Sequence, residues 1–152
     1  MEPKIVQLDA FKFVGLRYFG DNKNDEIKGL WGEFNKNCDK FKHIKTNSPA
    51  IGLCIMVPGE MEKFEYSAGF MVDSTADMDP IFVSRDVPAS KYAVFTHKGL
   101  LNNLHETYDY IFSKWIKECG LEVGTALNFE WYDDRFKDND PSSEFDIYIP
   151  IK

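Results

Sequence analysis

The chain has 152 residues, 43% of them hydrophobic and 28% charged, the size and balance of one folded domain that can bury a core without disulfide or metal staples. Acidic residues outnumber basic ones 25 to 18, giving a net charge of −7. A nucleic-acid binder displaces counterions with a basic face, so this balance, with Asp39 adjoining the lysines at Lys40, Lys42 and Lys45, argues against direct DNA binding.

Residues 5–19 read as one irregular strand, with Phe11, Phe13, Val14, Leu16 and Tyr18 supplying β-favouring bulk. Gly20 and the polar run Asp21-Asn22-Lys23-Asn24 end it. A helix follows, its apolar stripe formed by Ile27, Leu30, Trp31, Phe34 and Phe41. Asn22 or Asn24 is the expected cap, and Gly29 and Gly32 point to a close contact or to a helix that loosens. After the loop Asn47-Ser48-Pro49 comes a strand from Ile51 to Val57, a turn beginning at Pro58-Gly59-Glu60, and a returning strand from Phe64 to Val72. The stretch Asp73 to Asp79 is polar and linker-like.

Ile81–Val83 and Tyr92–His97 are strand-like, with a bend at Val87-Pro88-Ala89-Ser90 between them. Beyond Gly99 a second helix carries Leu101, Leu104, Tyr108, Ile111, Phe112, Trp115 and Ile116 on one stripe and stops at Gly120. A strand from Leu127 to Asp133, a solvated loop from Arg135 to Ser143, and a final strand from Phe145 to Ile151 complete the chain. The order is β-α-β-β twice. Gly20 and Gly99 lie 79 positions apart, as do Tyr66 and Phe145, and the helices match at an offset of 81. The fold class expected is α+β: duplicated units, residues 1–77 and 80–152, forming one antiparallel sheet with two main helices and a central cleft. Clefts between such units are common ligand sites.

No apolar run approaches the ~20 residues of a membrane helix, and Met1-Glu2-Pro3-Lys4 opens no signal-peptide pattern, so the expected location is the cytoplasm. Cys38, Cys54 and Cys119 lack CxxC spacing and read as free thiols. His43, His97 and His105 make no metal-ligand pattern, and phosphate- and dinucleotide-binding motifs are absent, so neither a metal nor a cofactor is expected. The segment Asn128-Phe129-Glu130-Trp131-Tyr132 is the most suggestive. Strand alternation puts Phe129 and Trp131 on one face and Glu130 with Tyr132 on the other. Three readings of Glu130 stand open: a counter-charge for a cationic ligand held among aromatic rings, a general acid or base, or an edge-strand glutamate facing water. Tyr66, Tyr108, Tyr132 and Tyr148 are candidates to line a cleft with apolar walls and polar tips.

The chain resembles the GyrI-like small-molecule-binding family, which also serves as the effector-binding domain of AraC-type and MerR-type multidrug regulators. The matching segments are Phe13-Val14-Gly15-Leu16, Ile27…Leu30-Trp31…Phe34, the run from Val87 to Gly99, Tyr108…Ile111…Trp115-Ile116…Gly120, Phe129-Glu130-Trp131-Tyr132 and Asp146-Ile147-Tyr148-Ile149-Pro150-Ile151. The resemblance implies a central ligand cleft in which Glu130 matches the glutamate that binds lipophilic cations. Phe145 matches a ligand-contacting aromatic of the last strand, and Trp31, Tyr108 and Phe112 are the helical candidates. It implies a stand-alone effector-binding domain, since no helix-turn-helix segment accompanies the fold. The expected partner is a small amphipathic, often cationic molecule, with a protein partner or a homodimer beyond it, and neither DNA nor a membrane. A hydrolase of electrophilic cyclopropane-type toxins using Glu130, or an inhibitor of a partner such as DNA gyrase, is the alternative.

Overall fold

The computed structural model describes residues 2–56, 59, 62–120, 127–137 and 140–152. The expected turn at Pro58-Gly59-Glu60 and the tip of the 135–143 loop lie largely outside them. Among the described residues eight strands form one sheet: β1 (Lys4–Leu8), β2 (Phe11–Gly20), β3 (Ala50–Met56), β4 (Phe64–Val72), β5 (Val83–Val87), β6 (Ser90–Lys98), β7 (Leu127–Tyr132) and β8 (Glu144–Ile151). Their order is β1-β6-β8-β7-β3-β4-β2-β5, every neighbouring pair antiparallel. The units β2-α1-β3-β4 and β6-α2-β7-β8 fill the two halves of the sheet, meeting where β3 pairs with β7. Helix α1 spans Glu26–Lys36. The second helix runs as α2 (Leu104–Tyr110), a π-turn over Ile111–Trp115, and a last turn, α3 (Ile116–Cys119).

The expected single strand over residues 5–19 is two strands in opposite halves of the sheet. β1 and β2 stand six places apart, about 29 Å on a flat sheet at ~4.8 Å per strand. Leu8 and Phe11 are three Cα steps apart in the chain, at most ~11 Å. The sheet must therefore curl until its ends approach. β5 and β6, joined by Pro88-Ala89, impose the same condition from the other side. Ser84 to Asp86, unassigned from sequence, lie in β5, which extends to Val87.

Curling gives the two faces different jobs. The inner face closes on itself: Val6 and Leu8 of β1, Phe13 of β2, Leu53 of β3, Val87 of β5 and Phe129 of β7 share one core. Both helices pack on the outer face. α1 sits over Val14, Ala68 and Val72, and the second helix over Phe95, Phe145 and Ile147. His97, 2% exposed, pins the second helix to β6. Its Nε2 donates to the Leu100 carbonyl at 3.0 Å, so Nδ1 accepts from Thr107 Oγ1 at 2.7 Å.

The helix signals behave largely as read. The N-cap position of α1 is held by Asp25, φ 57°, and not by Asn22 or Asn24, although Asn22 Oδ1 accepts from the Ile27 amide at 3.0 Å; Gly120 takes the left-handed conformation, φ 73°, at the close of the second helix. Phe41 leaves the expected stripe. α1 stops at Lys36, a 3-10 turn covers Cys38–Lys40, and Phe41 stacks on Phe82 at 4.1 Å beyond the helix. The close contact expected at Gly29 and Gly32 is absent: a Cβ at either meets nothing within 4 Å. Both are helical and exposed, so Gly29→Ala and Gly32→Ala should each raise stability by about 0.5–1 kcal/mol, read as a higher urea midpoint at unchanged slope. No helix among the described residues is long and apolar enough to cross a membrane.

Candidate functional site

Glu130 sits on β7 at the centre of the outer face. Cα pairing lines up Leu16, Ala68, Gly52, Glu130, Ile147 and Phe95 as one row across six strands. Helices cover the two ends of that row. Its middle, Ala68 and Gly52, is small, so the sheet offers a shallow floor beside the carboxylate. Gly52 leaves room for these side chains: a Cβ would collide with the Tyr66 hydroxyl and come within 2.9 Å of Glu130 Oε1.

Glu130 is 6% exposed. Three tyrosine hydroxyls donate to it: Tyr66 and Tyr132 to Oε1 at 2.7 and 2.8 Å, and Tyr108 to Oε2 at 2.6 Å. Tyr66 comes from β4, Tyr132 from two residues along β7, and Tyr108 from α2. Trp31 Nε1 of α1 donates to the Tyr66 hydroxyl at 3.1 Å, so both helices are tied to the one carboxylate. Burial, and next the charge of Glu130, push the phenols of Tyr66, Tyr108 and Tyr132 well above their ordinary range. They therefore remain protonated donors, which suits a carboxylate acceptor. Among the described residues no basic side chain forms an ion pair with Glu130.

Aromatic rings complete the enclosure. Trp31 meets Tyr132 edge-on at 5.3 Å, Phe145 stacks on Tyr132 at 4.5 Å, and Phe112 lies parallel to Tyr108 at 6.2 Å. Phe112, 41% exposed, is at the outer margin and belongs to the π-turn, a helix irregularity frequent at functional sites. The sequence candidates Trp31, Tyr66, Tyr108, Phe112, Tyr132 and Phe145 thus gather around Glu130. Tyr148 does not. It lies on the inner face, stacked on Phe129 at 4.7 Å, because three residues along a strand separate it from Phe145 and alternation sends the two to opposite faces. Sequence reasoning missed Gly52 and Cys54, which precede and follow Leu53 on β3. Burial first, then the charges of Glu130 and Glu65, push the Cys54 thiol up to about 12, so it is no nucleophile at neutral pH.

A curled antiparallel sheet with two helices over one face is the fold of the GyrI-like class of effector-binding domain. A family model described as Cass2, integron-associated effector binding protein, matches residues 4–151, and the chain belongs to that family. The transcriptional regulator BrlR of Pseudomonas aeruginosa is 38% identical over 152 residues, 99% of this chain and 56% of BrlR, so the chain spans little more than half of that relative. Among solved structures, SAV2435 bound to tetraphenylphosphonium is similar at 22% identity and a TM-score of 0.81, covering 100% of this chain and 94% of that one. An integron cassette protein from the mobile metagenome of Vibrio cholerae is similar at 17% identity and a TM-score of 0.73, covering 99% and 96%. Both likenesses are likenesses of fold.

Proposed function

We propose that this chain binds amphipathic organic cations between its two helices, with Glu130 as the counter-charge and the surrounding rings as walls. The observation that carries the reading is a carboxylate 6% exposed, held by three hydroxyls and by no cation among the described residues. Burying an ionised group without an opposite charge is costly, and neutral donors offset the cost only in part. A lipophilic cation has little hydration to lose. It neutralises the carboxylate and gains from the faces of Trp31, Tyr108 and Phe112. The hydroxyls now on Glu130 are then free to turn toward the ligand or toward each other. The net charge of −7 supports a chain that makes no direct DNA contact of its own.

Calorimetry with tetraphenylphosphonium and with triphenylphosphine oxide, a neutral molecule of related shape, tests the proposal. Glu130→Gln keeps shape and removes charge. It should weaken the cation by about 1.5–2 kcal/mol, the scale of a lost charge-assisted interaction, and the neutral molecule far less. It should leave folding stability unchanged or raised. Equal losses for the two ligands would return Glu130 to a structural role. Turnover of an electrophilic ligand by the parent chain, abolished in Glu130→Gln, would move the reading to a hydrolase.

A further inference from the structure

We propose that the chain carries a second small-molecule site, on the opposite face of β7 from Glu130, built for a small aromatic zwitterion of the size of an aromatic amino acid. Where the curled sheet opens, the β1–β2 corner, the loop leading into β3 and Trp131 line a half-open cavity of about 290 Å³. Leu8, Phe11, Met71 and Trp131 supply its larger apolar side chains, and Thr46, Asn47 and Ser48 of the loop supply polar groups. Glu130 and Trp131 are neighbours in sequence, and alternation aims them to opposite sides of the sheet. The cavity is therefore separate from the helix-covered site.

The walls are fixed. The indole of Trp131 stacks on Tyr148 at 5.3 Å and 23° and serves as a platform. The loop is pinned to the end of β4: Lys45 N donates to Met71 O at 2.9 Å, and Met71 N donates to Ser48 Oγ at 3.0 Å. A turn closes between them, with Ser48 N donating to Lys45 O at 3.0 Å and Asn47 at φ 63°. The facing corner is held by sheet pairing on both sides, Leu8 with Ser90 and Phe11 with Val87. A half-open cavity at the mouth of a curled sheet, lined by both polar and apolar groups with an aromatic ring in its wall, suits a flat ring that carries polar substituents.

The rim sets the polar end of the ligand. Asp9 belongs to the corner and Lys45 to the loop, so each wall contributes one charge. Neither side chain has a hydrogen-bond or ion-pair partner among the described residues. A molecule carrying both an ammonium and a carboxylate satisfies both charges. A simple cation or anion satisfies one and approaches its opposite. This selectivity differs from that of the Glu130 site, where a single buried acid faces a cation.

The test is a ligand-observed NMR titration with three probes sharing one ring: L-tryptophan, tryptamine and indole-3-acetate. L-tryptophan should bind saturably in the millimolar range and more tightly than either single-charge analogue. Asp9→Asn should weaken tryptamine about threefold to fivefold, the scale of an exposed ion pair, and spare indole-3-acetate. Lys45→Gln should do the reverse. Both positions are exposed, so neither change threatens the fold. L-tryptophan binding should persist in Glu130→Gln and in saturating tetraphenylphosphonium, which keeps this result independent of the first site. Three results would overturn the proposal: no saturable binding of L-tryptophan, rim variants that shift all three probes alike, or loss of L-tryptophan binding in Glu130→Gln.

Discussion

Replacing Gly69 by alanine should cost about 3 kcal/mol of folding stability, at the upper end of what overpacking does in a filled core. Gly69 on β4 pairs directly with Gly15 on β2. A Cβ on Gly69 would drive into the backbone carbonyl of Val14 and stand 2.6 Å from Gly15 Cα, while a Cβ on Gly15 would stand 2.6 Å from the Ala68 carbonyl oxygen. Neither glycine has a positive φ, so the constraint is space and not backbone conformation. The obstacles are largely main-chain atoms of a paired strand, which cannot rotate aside as a side-chain tip would. Strand glycines commonly mark such close backbone approach. Chemical denaturation of Gly69→Ala beside Gly29→Ala should therefore show opposite signs for the same atomic change. A loss under 1 kcal/mol would mean that the β2–β4 contact relaxes easily.

Glu65 carries the second large effect. Its side chain, 8% exposed, accepts from Arg17 Nε at 2.6 Å and from Arg85 Nε and Nη2 at 3.1 and 2.6 Å. Arg85 belongs to β5 and Glu65 to β4, with β2 between them, so the carboxylate ties an edge strand to the sheet. Removing one partner of a fully buried pair costs ~3–5 kcal/mol. Arg17 and Arg85 are 45% and 32% exposed and can still reach water, so Glu65→Gln should cost about 2 kcal/mol, less than that range. The cost should depend on pH. Burial pushes the Glu65 carboxyl up, but the hydrogen bonds and charges of Arg85 and Arg17 outweigh it and hold the carboxyl below its ordinary range. A carboxyl with a depressed folded pKa stabilises the fold fully above its unfolded value. The contribution is lost as pH falls through the folded value. Denaturation of parent and Glu65→Gln should therefore differ near pH 7 and converge in acid below the ordinary glutamate range. A gap that persists in acid would trace the loss to packing and not to charge.

Periodicity alone determined much of this protein. The stripe Ile27, Leu30, Trp31 and Phe34 specifies a helix with one buried face, and alternation in β7 separates Glu130 from Phe129 and Trp131 whatever surrounds them. Alternation also forbids Phe145 and Tyr148 from sharing a face, which the residue types alone obscured. The likeness to effector-binding domains rested on segments spread along the chain, and the match over residues 4–151 agrees with it. Only the tertiary structure decided the rest, because it rests on pairings between distant residues that no local pattern encodes. A two-residue link, Asp9-Ala10, does not announce that β1 and β2 part to opposite halves of a sheet. That separation follows from which strands each pairs with, and it is what makes the sheet curl. Likewise the sequence offers Tyr66, Tyr108, Tyr132 and Tyr148 alike as cleft-lining candidates, and only the structure separates the first three from the last. Those three become the hydrogen-bond shell of Glu130 because β4, β7 and α2 meet over the small residues Gly52 and Ala68.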